Sequence, residues 1–338
     1  MTTTPYAARR HTTLLALSAF AAVCLAAPAS AEERHLSLLL QNDVFVGHDG
    51  GGYTNGIALS YLRSTAPGEA AIAPHWLLGP VAEWLNVAPA TLAFTSLNQI
   101  MITPRDITRV QPDPLDAPYL GALWLRTGQV SVRDDVADTL SVNLGMIGPA
   151  SGARQAQTLI HRLTGSNRPQ GWDSQVSNRL LFGIERYRAL RLPLGSSTAP
   201  AWDAIVLGGG AAGNMLSSLG GSAMLRYGSS AATLQRSYAT SVRQLARSGD
   251  PVVFGRGWLA YAGVHADYLF SHAGISNDLP PGGSRASLRS SQLITMAGLA
   301  YGWGDASLSF SLQSSSALTT GIGRRQAFGS LSYTMALR

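Results

Sequence analysis

Apolar and polar residues alternate one by one along several short segments of this chain. Val142, Leu144 and Met146 are interleaved with small or polar residues, and residues 307–312 and 330–337 repeat the pattern. Successive side chains of a β-strand point to opposite faces, so a period of two predicts strands with one apolar and one polar face. A soluble β-sandwich and a membrane-spanning β-barrel both fit this pattern.

Composition favours the barrel. Hydrophobic residues make up 46% of the chain and charged residues only 13%. Beyond residue 31, however, no apolar run approaches the roughly 20 residues that a transmembrane helix needs. Strands cross a membrane only when they close on themselves, because every backbone N–H and C=O group in hydrocarbon needs an internal partner. We therefore predict an all-β transmembrane barrel.

The alternating segments number twelve, an even number as in bacterial outer-membrane barrels. They lie near residues 36–44, 53–63, 92–102, 119–130, 139–147, 179–190, 202–210, 221–228, 257–268, 291–303, 306–314 and 327–337. Gly304 and Asp305 predict a tight hairpin, whereas the connections 64–91, 148–178 and 269–290 are long. The pattern predicts a 12-stranded antiparallel barrel with its long loops outside the cell.

Aromatic residues near the predicted strand ends are candidates for the girdles that mark the two membrane interfaces. They are Trp258, Tyr261, Tyr268, Tyr301 and Trp303.

The first 31 residues are typical of a secretory signal peptide. Arg9 and Arg10 precede an apolar run over residues 14–27, and Ala29-Ser30-Ala31 provides small residues for cleavage. The alternative is a lipoprotein anchored through Cys24. With a cleaved signal, the mature barrel over residues 32–338 contains no cysteine, so we expect neither disulfides nor thiolate metal sites.

The charge pattern predicts a membrane partner and neither nucleic acid nor nucleotide. All 25 basic residues are arginine, and the net charge of +6 includes two residues of the predicted signal. Arginine suits phosphate recognition, and the outer leaflet of a Gram-negative outer membrane is phosphorylated lipid A. A GC-rich genome would produce the same arginine content. The run from Gly208 to Gly213 formally matches G-x-G-x-x-G but lacks the surrounding βαβ unit that binds dinucleotides.

Residues 148–178 interrupt the strand pattern with a helix-like segment, centred on residues 152–165. On a helix, Arg154, Gln157 and His161 would share one face, and Gly165 would end it. The apolar residues of the segment lie mainly off this face, and we expect them to pack on the barrel rim: Leu159, Ile160 and Leu163. Because imidazole is the natural base near neutral pH, His161 is a candidate general base.

Several short motifs, taken in order, resemble one family. They are Gln41-Asn42-Asp43, Tyr53-Thr54-Asn55-Gly56, Thr103-Pro104, Asp116-Ala117-Pro118-Tyr119, the segment 148–178 and Gly213-Asn214. This combination resembles the outer-membrane lipid A 3′-O-deacylases, the LpxR family. The resemblance extends from about residue 36 to 228 and weakens towards the C-terminus.

The resemblance implies a twelve-stranded barrel whose active site lies between the wall and a short helix in an extracellular loop. It also implies a calcium-dependent ester hydrolase that removes the 3′-linked acyloxyacyl group of lipid A or lipopolysaccharide. In this reaction Ca²⁺ polarises the ester carbonyl, and His161 deprotonates a water molecule.

The resemblance assigns the remaining site residues. Asp43 offers a carboxylate and Asn42 an amide oxygen, both suited to Ca²⁺. Adjacent strand residues point to opposite faces, so they can share one site only if the strand bulges or frays, or if one acts through its backbone. We predict Asp43 as a metal ligand and Asn42 as a ligand or a donor to the oxyanion. Thr54 would ligate the metal or position water or substrate, and Gln157 would orient the ester or the imidazole.

One position departs from the family. Some members have a glutamate six residues after the histidine, whereas this chain has Asn167. An amide cannot stabilise an imidazolium as a carboxylate does, so the prediction leaves open whether Asp173 replaces the acid. Trp172 is expected to anchor the loop at the membrane interface.

Two other functions are compatible with the sequence. One is a non-catalytic barrel, porin-like or structural, and the other is an outer-membrane phospholipase or related esterase. No G-x-S-x-G nucleophile elbow is present, although a serine nucleophile elsewhere stays open.

Overall fold

The computed structural model describes residues 32–47, 52–65, 71–73, 75–76, 78–195, 199–246, 255–275, 285–320 and 325–337. The predicted signal peptide lies outside these residues. The described chain forms a closed antiparallel barrel in which every strand pairs with its sequence neighbours and the first pairs with the last. A single closed barrel confirms the predicted fold and excludes the sandwich.

All twelve predicted strands overlap observed ones. The strands are β1 Glu33–Asn42, β2 Gly52–Ser64, β3 Leu92–Thr103, β4 Leu120–Arg133, β5 Val136–Ile147, β6 Arg179–Leu194, β7 Ala201–Gly213, β8 Leu216–Gly228, β9 Arg256–His272, β10 Ser291–Trp303, β11 Ala306–Ser315 and β12 Gln326–Leu337. The helices are α1 Gly79–Trp84, α2 Ala153–Thr164, α3 Ala231–Arg236 and α4 Tyr238–Ala246. Within the described ranges no helix has the length and apolar character needed to span a membrane.

The polar face of the alternation points inwards and the apolar face outwards. Leu308, Phe310 and Tyr333 are exposed, whereas the serines between them are buried. These inward hydroxyls bond across strands: Ser309 and Ser332 lie 2.6 Å apart, and Thr334 donates to Ser37 at 2.8 Å. A soluble sheet buries its apolar face, so this polarity is that of a barrel surrounded by lipid.

The two rims carry different connections. We call the rim with Glu33 and Leu337 the terminal rim, and the opposite rim with Asn42 the loop rim. Three short connections, 134–135, 195–200 and 304–305, join strands at the terminal rim, which is typical of the periplasmic rim of such barrels. Residues 148–178 and 273–290 lie on the loop rim, as predicted. The prediction was wrong for 65–91, which lies on the terminal rim together with 229–255.

Aromatic residues line the outer face near the terminal rim. Trp202 stacks on Tyr227 with ring centroids 4.2 Å apart, and Trp258 meets Tyr227 edge-on at 5.0 Å. Tyr301, Trp303 and Tyr333 continue the row around the barrel, and Tyr268 contacts Phe270 nearer the loop rim. Tyr261 is not part of a girdle, because it points inwards and is only 5% exposed.

Helices α3 and α4 fill the lumen on the side of the terminal rim, and the sequence analysis did not predict them. Every residue of α4 except Ala239 is buried. One apolar cluster joins Leu234 and Val242 to inward residues of nine strands, β2 to β10. A helix enclosed in this way obstructs the lumen, which disfavours a porin-like function.

Candidate active site at the loop rim

The Asn42 and Asp43 pair lies where β1 ends. A 3₁₀ turn, Asp43–Val46, follows the strand directly, and Asn42 caps it by accepting a hydrogen bond at Oδ1 from Val44 N at 2.7 Å. The turn ends at Gly47 with φ of +73°, a conformation that favours glycine. Asp43 is therefore outside the strand and free of its alternation, and it is only 9% exposed. Because of this turn, Asn42 and Asp43 can belong to one site although adjacent residues within a strand point to opposite faces.

Thr54 occupies a bulge in β2. Tyr53 pairs with Ile102 and Asn55 with Met101, so the register passes over position 54. Asn55 also pairs with Asn42. The backbone thus brings position 54 next to the end of β1, as a site shared with Asn42 and Asp43 requires.

Helix α2 packs on the outer wall of the barrel. Met101 forms a buried cluster with Tyr119, Ala153 and Trp172, and the Nε2 of Gln99 donates to Ser151 O at 2.6 Å. Gly121 permits the close approach, because a Cβ there would lie 2.4 Å from the Cβ of Ala153. These wall residues share a face with the lipid-facing strand residues, as the register of β3 to β5 shows. The helix ends at Gly165 with φ of +70°, as predicted.

Gln157 is locked against the wall. It is 2% exposed, and its Oε1 accepts a hydrogen bond from Trp172 Nε1 at 2.7 Å. The indole of Trp172 in turn packs on Tyr119, with ring centroids 4.8 Å apart. Gln157 Nε2 is buried and has no hydrogen-bond partner among the described residues. Trp172 therefore fixes the orientation of this amide.

Burial also affects Tyr119, which stands just before β4. It raises the pKa of Tyr119 to about 12. The phenol therefore stays protonated at physiological pH, and it donates to Ile107 O at 3.2 Å. Tyr119 supports Trp172 as a neutral packing residue. Neither residue's sequence motif predicts their contact.

His161 is half-buried on α2, and its ring is held by the main chain. Its Nδ1 lies 2.6 Å from Asn167 O. A carbonyl oxygen only accepts, so Nδ1 must carry the proton and Nε2 is left as the basic nitrogen. The main-chain carbonyl of Asn167 thus holds the imidazole ring in this orientation. The carboxylate of Asp173, the alternative acid, pairs with Arg154, with Oδ1 2.5 Å from Nη1.

The apolar side of α2 does not pack on the rim, which corrects the prediction. Leu159 is 56% exposed and Leu163 is 77% exposed. The helix instead buries the small residue Ala153 and the amide of Gln157. Both leucines therefore lie on the exposed side of the helix.

The donor atoms near the end of β1 are oxygens. The described residues contain no cluster of three or more histidine, cysteine, aspartate or glutamate side chains. Asp43 provides one buried carboxylate, and the Asp43–Val46 turn provides main-chain carbonyls. Hard oxygen donors completed by water are the set that Ca²⁺ accepts.

The lumen holds a separate cavity of about 380 Å³. Its polar lining includes Arg126, whose Nη2 lies 2.9 Å from Glu185 Oε2, and Asn143, which donates to Glu185 at 3.1 Å. This network lies on the inner face of the wall, opposite α2, so it is not part of the candidate site.

Several solved structures are similar to this chain, and LpxR from Salmonella typhimurium shares its fold. The structure of LpxR from Salmonella typhimurium matches with a TM-score of 0.71 at 16% identity, over 89% of this chain and 99% of that one. The translocator domain of the autotransporter NalP from Neisseria meningitidis matches with a TM-score of 0.44 at 12% identity, over 98% and 99% of the chains. The β domain of the Bordetella autotransporter BrkA gives 0.41 at 10% identity, over 90% and 99%. Among curated proteins no sequence matches significantly.

The family described as "Outer membrane protein LpxR" matches residues 14–337 of this sequence. The match includes the C-terminal third, where the resemblance in the sequence analysis was weak. With the closed twelve-stranded barrel, it places the protein in the outer membrane. The chain belongs to the LpxR family of outer-membrane proteins.

Proposed function

We propose that this chain is a calcium-dependent lipid A 3′-O-deacylase in which His161 activates the attacking water. The observation that carries the proposal is the hydrogen bond between His161 Nδ1 and Asn167 O, which leaves Nε2 as a base. This base sits on a helix packed against the lipid-facing wall of an outer-membrane barrel. Lipid A reaches such a wall from the outer leaflet.

The chemistry proceeds as general-base ester hydrolysis. Nε2 of His161 takes a proton from water while the water oxygen bonds to the ester carbonyl carbon. Gln157, whose amide is held by Trp172 at 2.7 Å, would orient the ester or the imidazole. The tetrahedral intermediate then breaks its bond to the 3′-oxygen of the sugar, and the imidazolium returns the proton to that oxygen. The products are the free acyloxyacyl acid and a 3′-hydroxyl.

Asp43 would hold Ca²⁺ through its carboxylate, and Thr54 and Asn42 would complete the site. Since Asn42 Oδ1 caps the turn, its main-chain carbonyl is the oxygen we assign to the metal. When bound, Ca²⁺ supplies positive charge that stabilises the oxyanion.

Removal of calcium, or of the Asp43 carboxylate that would bind it, is expected to stop the reaction. The purified barrel should release acyloxyacyl acid from lipid A in calcium and none in a chelator. Asp43→Asn should lower the rate about 100-fold or more, because it removes the charged ligand. Asp106→Asn is the control, since this exposed carboxylate lies in another loop of the same rim, where it bonds to Thr108. Full activity in the chelator would exclude the metal, and release from phospholipid but not lipid A would favour a phospholipase.

A charge on the exposed side of α2 is expected to weaken binding to membrane-embedded substrate. Burial of one leucine in hydrocarbon contributes about 1.5–3 kcal/mol. Leu163→Asp should therefore raise the KM for lipid A in vesicles by about 10- to 100-fold, with kcat nearly unchanged. Val110→Asp is the control, since Val110 is 62% exposed on a different loop. Equal KM values for the wild type, Leu163→Asp and Val110→Asp would show that α2 does not enter the bilayer.

A further inference from the structure

A bare strip runs along the outer face of β7. Gly208, Gly210 and Ala212 share this face with Trp202 and Val206, which are 45% and 39% exposed. The residues between them point inwards. The strip is therefore a length of lipid-facing strand without any side chain larger than a methyl group. It includes the glycine run that formally matches a dinucleotide motif.

Apolar walls turn this strip into a trough. Trp84 and Leu85 at the end of α1 form one wall, and Leu219 and Phe270 form the other. The trough has a volume of about 820 Å³. Helix α1 is packed on the outer wall through Leu78 and Ala82, which form a buried cluster with Leu140.

Charged residues border one side of the trough. Arg188 pairs with Asp138, with Nη2 to Oδ2 at 2.6 Å and Nε to the same oxygen at 3.2 Å. Arg186 Nη2 lies 3.9 Å from the same carboxylate, and Arg186 Nη1 donates to Leu85 O at 3.3 Å. Two guanidinium groups share one carboxylate, so the cluster carries a net positive charge. Arg188 is the more exposed, with 68% of its side chain accessible.

The positive charge of Arg186 and Arg188 lies at the end of the trough nearer the periplasmic rim. Arg188 pairs with Gly208, the end of the strip nearer the terminal rim. Asp138 is two residues from Val136, where β5 begins at that rim. Trp84 is 82% exposed, as an aromatic residue at the headgroup level of a membrane would be. The phosphates of lipid A lie at the other rim.

We propose that the trough binds one glycerophospholipid of the periplasmic leaflet. One acyl chain lies on the exposed backbone of Gly208 to Ala212, between the apolar walls. The phosphate contacts Arg188, whose planar guanidinium can donate to two phosphate oxygens. The ligand is a phospholipid rather than lipid A, because the charge lies near the periplasmic rim.

Two substitutions test the proposal: one fills the trough and the other removes a positive charge from its border. Gly208→Leu places a side chain where a Cβ would meet no atom nearer than Gly220 O at 4.0 Å, so the barrel need not move. Arg188→Gln removes the phosphate partner and leaves Asp138 with Arg186. Ala223→Leu places the same final side chain on the outer face of β8 outside the trough, as the control. Neither test variant alters His161 or α2, so deacylation in detergent should be unchanged.

Each protein is purified in mild detergent, and its retained lipid is extracted and counted by mass spectrometry. We expect about one phospholipid per wild-type and Ala223→Leu chain, and at least tenfold less in Gly208→Leu and Arg188→Gln. Equal phospholipid retention in all four proteins would overturn the proposal. Retention of lipopolysaccharide instead, lost in the same two variants, would also overturn it.

Discussion

Replacement of His161 by alanine is expected to slow lipid A deacylation by about 100- to 10,000-fold, the usual contribution of a general base. Nδ1 is occupied by Asn167 O at 2.6 Å, so Nε2 is the only ring atom left to accept a proton. The measurement is the initial rate of acyl release by the purified barrel in calcium. Retained heat-modifiability on gels would show that His161→Ala still folds.

Asn167→Ala is the matched control for the same contact. The main-chain carbonyl survives this substitution, so the rate should stay within about twofold to threefold of wild type, a small effect on the scale of a general base. A loss as large as that of His161→Ala would mean that the amide side chain, and not the backbone, orients the imidazole. A His161→Ala enzyme with more than a tenth of the wild-type rate would rule out His161 as the base.

Asp203→Ala is expected to destabilise the barrel by about 3–5 kcal/mol, the cost of breaking a buried ion pair from one side. Asp203 accepts from Arg191 Nε at 2.6 Å and from Arg226 Nη2 at 2.5 Å, and neither Asp203 nor Arg226 is exposed. Arg226 also donates to Ser237, which joins the two lumen helices, at 3.0 Å and to Ser241 of α4 at 2.9 Å. Without the carboxylate, two enclosed guanidinium groups lose their shared counter-charge.

Unfolding by urea in lipid vesicles measures this loss. Asp173→Asn is the control, because its ion pair with Arg154 is exposed and such pairs contribute about 0–1 kcal/mol. If the free energy of unfolding of Asp203→Ala is within about 1 kcal/mol of the wild-type value, the ion cluster does not hold the lumen helices in place.

The strands could be predicted from the sequence because a strand between lipid and a polar lumen must alternate apolar and polar side chains. The lumen helices could not, since α4 is enclosed by inward strand residues that are both apolar and polar, so the helix needs no uniformly apolar face. Its polar residues, among them Ser241, Arg243 and Gln244, therefore resemble a solvated loop in sequence. In the structure, Arg243 instead lies 3.6 Å from the ring centroid of Phe94.

The candidate site was only partly predictable, because some of its features depend on tertiary or main-chain contacts that leave no local sequence pattern. The position of α2 and its end at Gly165 follow from local sequence. The exposed side of α2 does not, because apolar residues on an outer wall can face lipid instead of protein. The partner of His161 is a main-chain carbonyl, which no side chain at position 167 reveals. The turn after Asn42 likewise depends on backbone geometry at Gly47.

Mass spectrometry of lipid A from cells that express this protein tests the central claim most directly. With calcium, the account predicts loss of the mass of the 3′-acyloxyacyl group, and no loss in cells that express His161→Ala. An unchanged lipid A spectrum from cells whose wild-type barrel is folded in the outer membrane would contradict it.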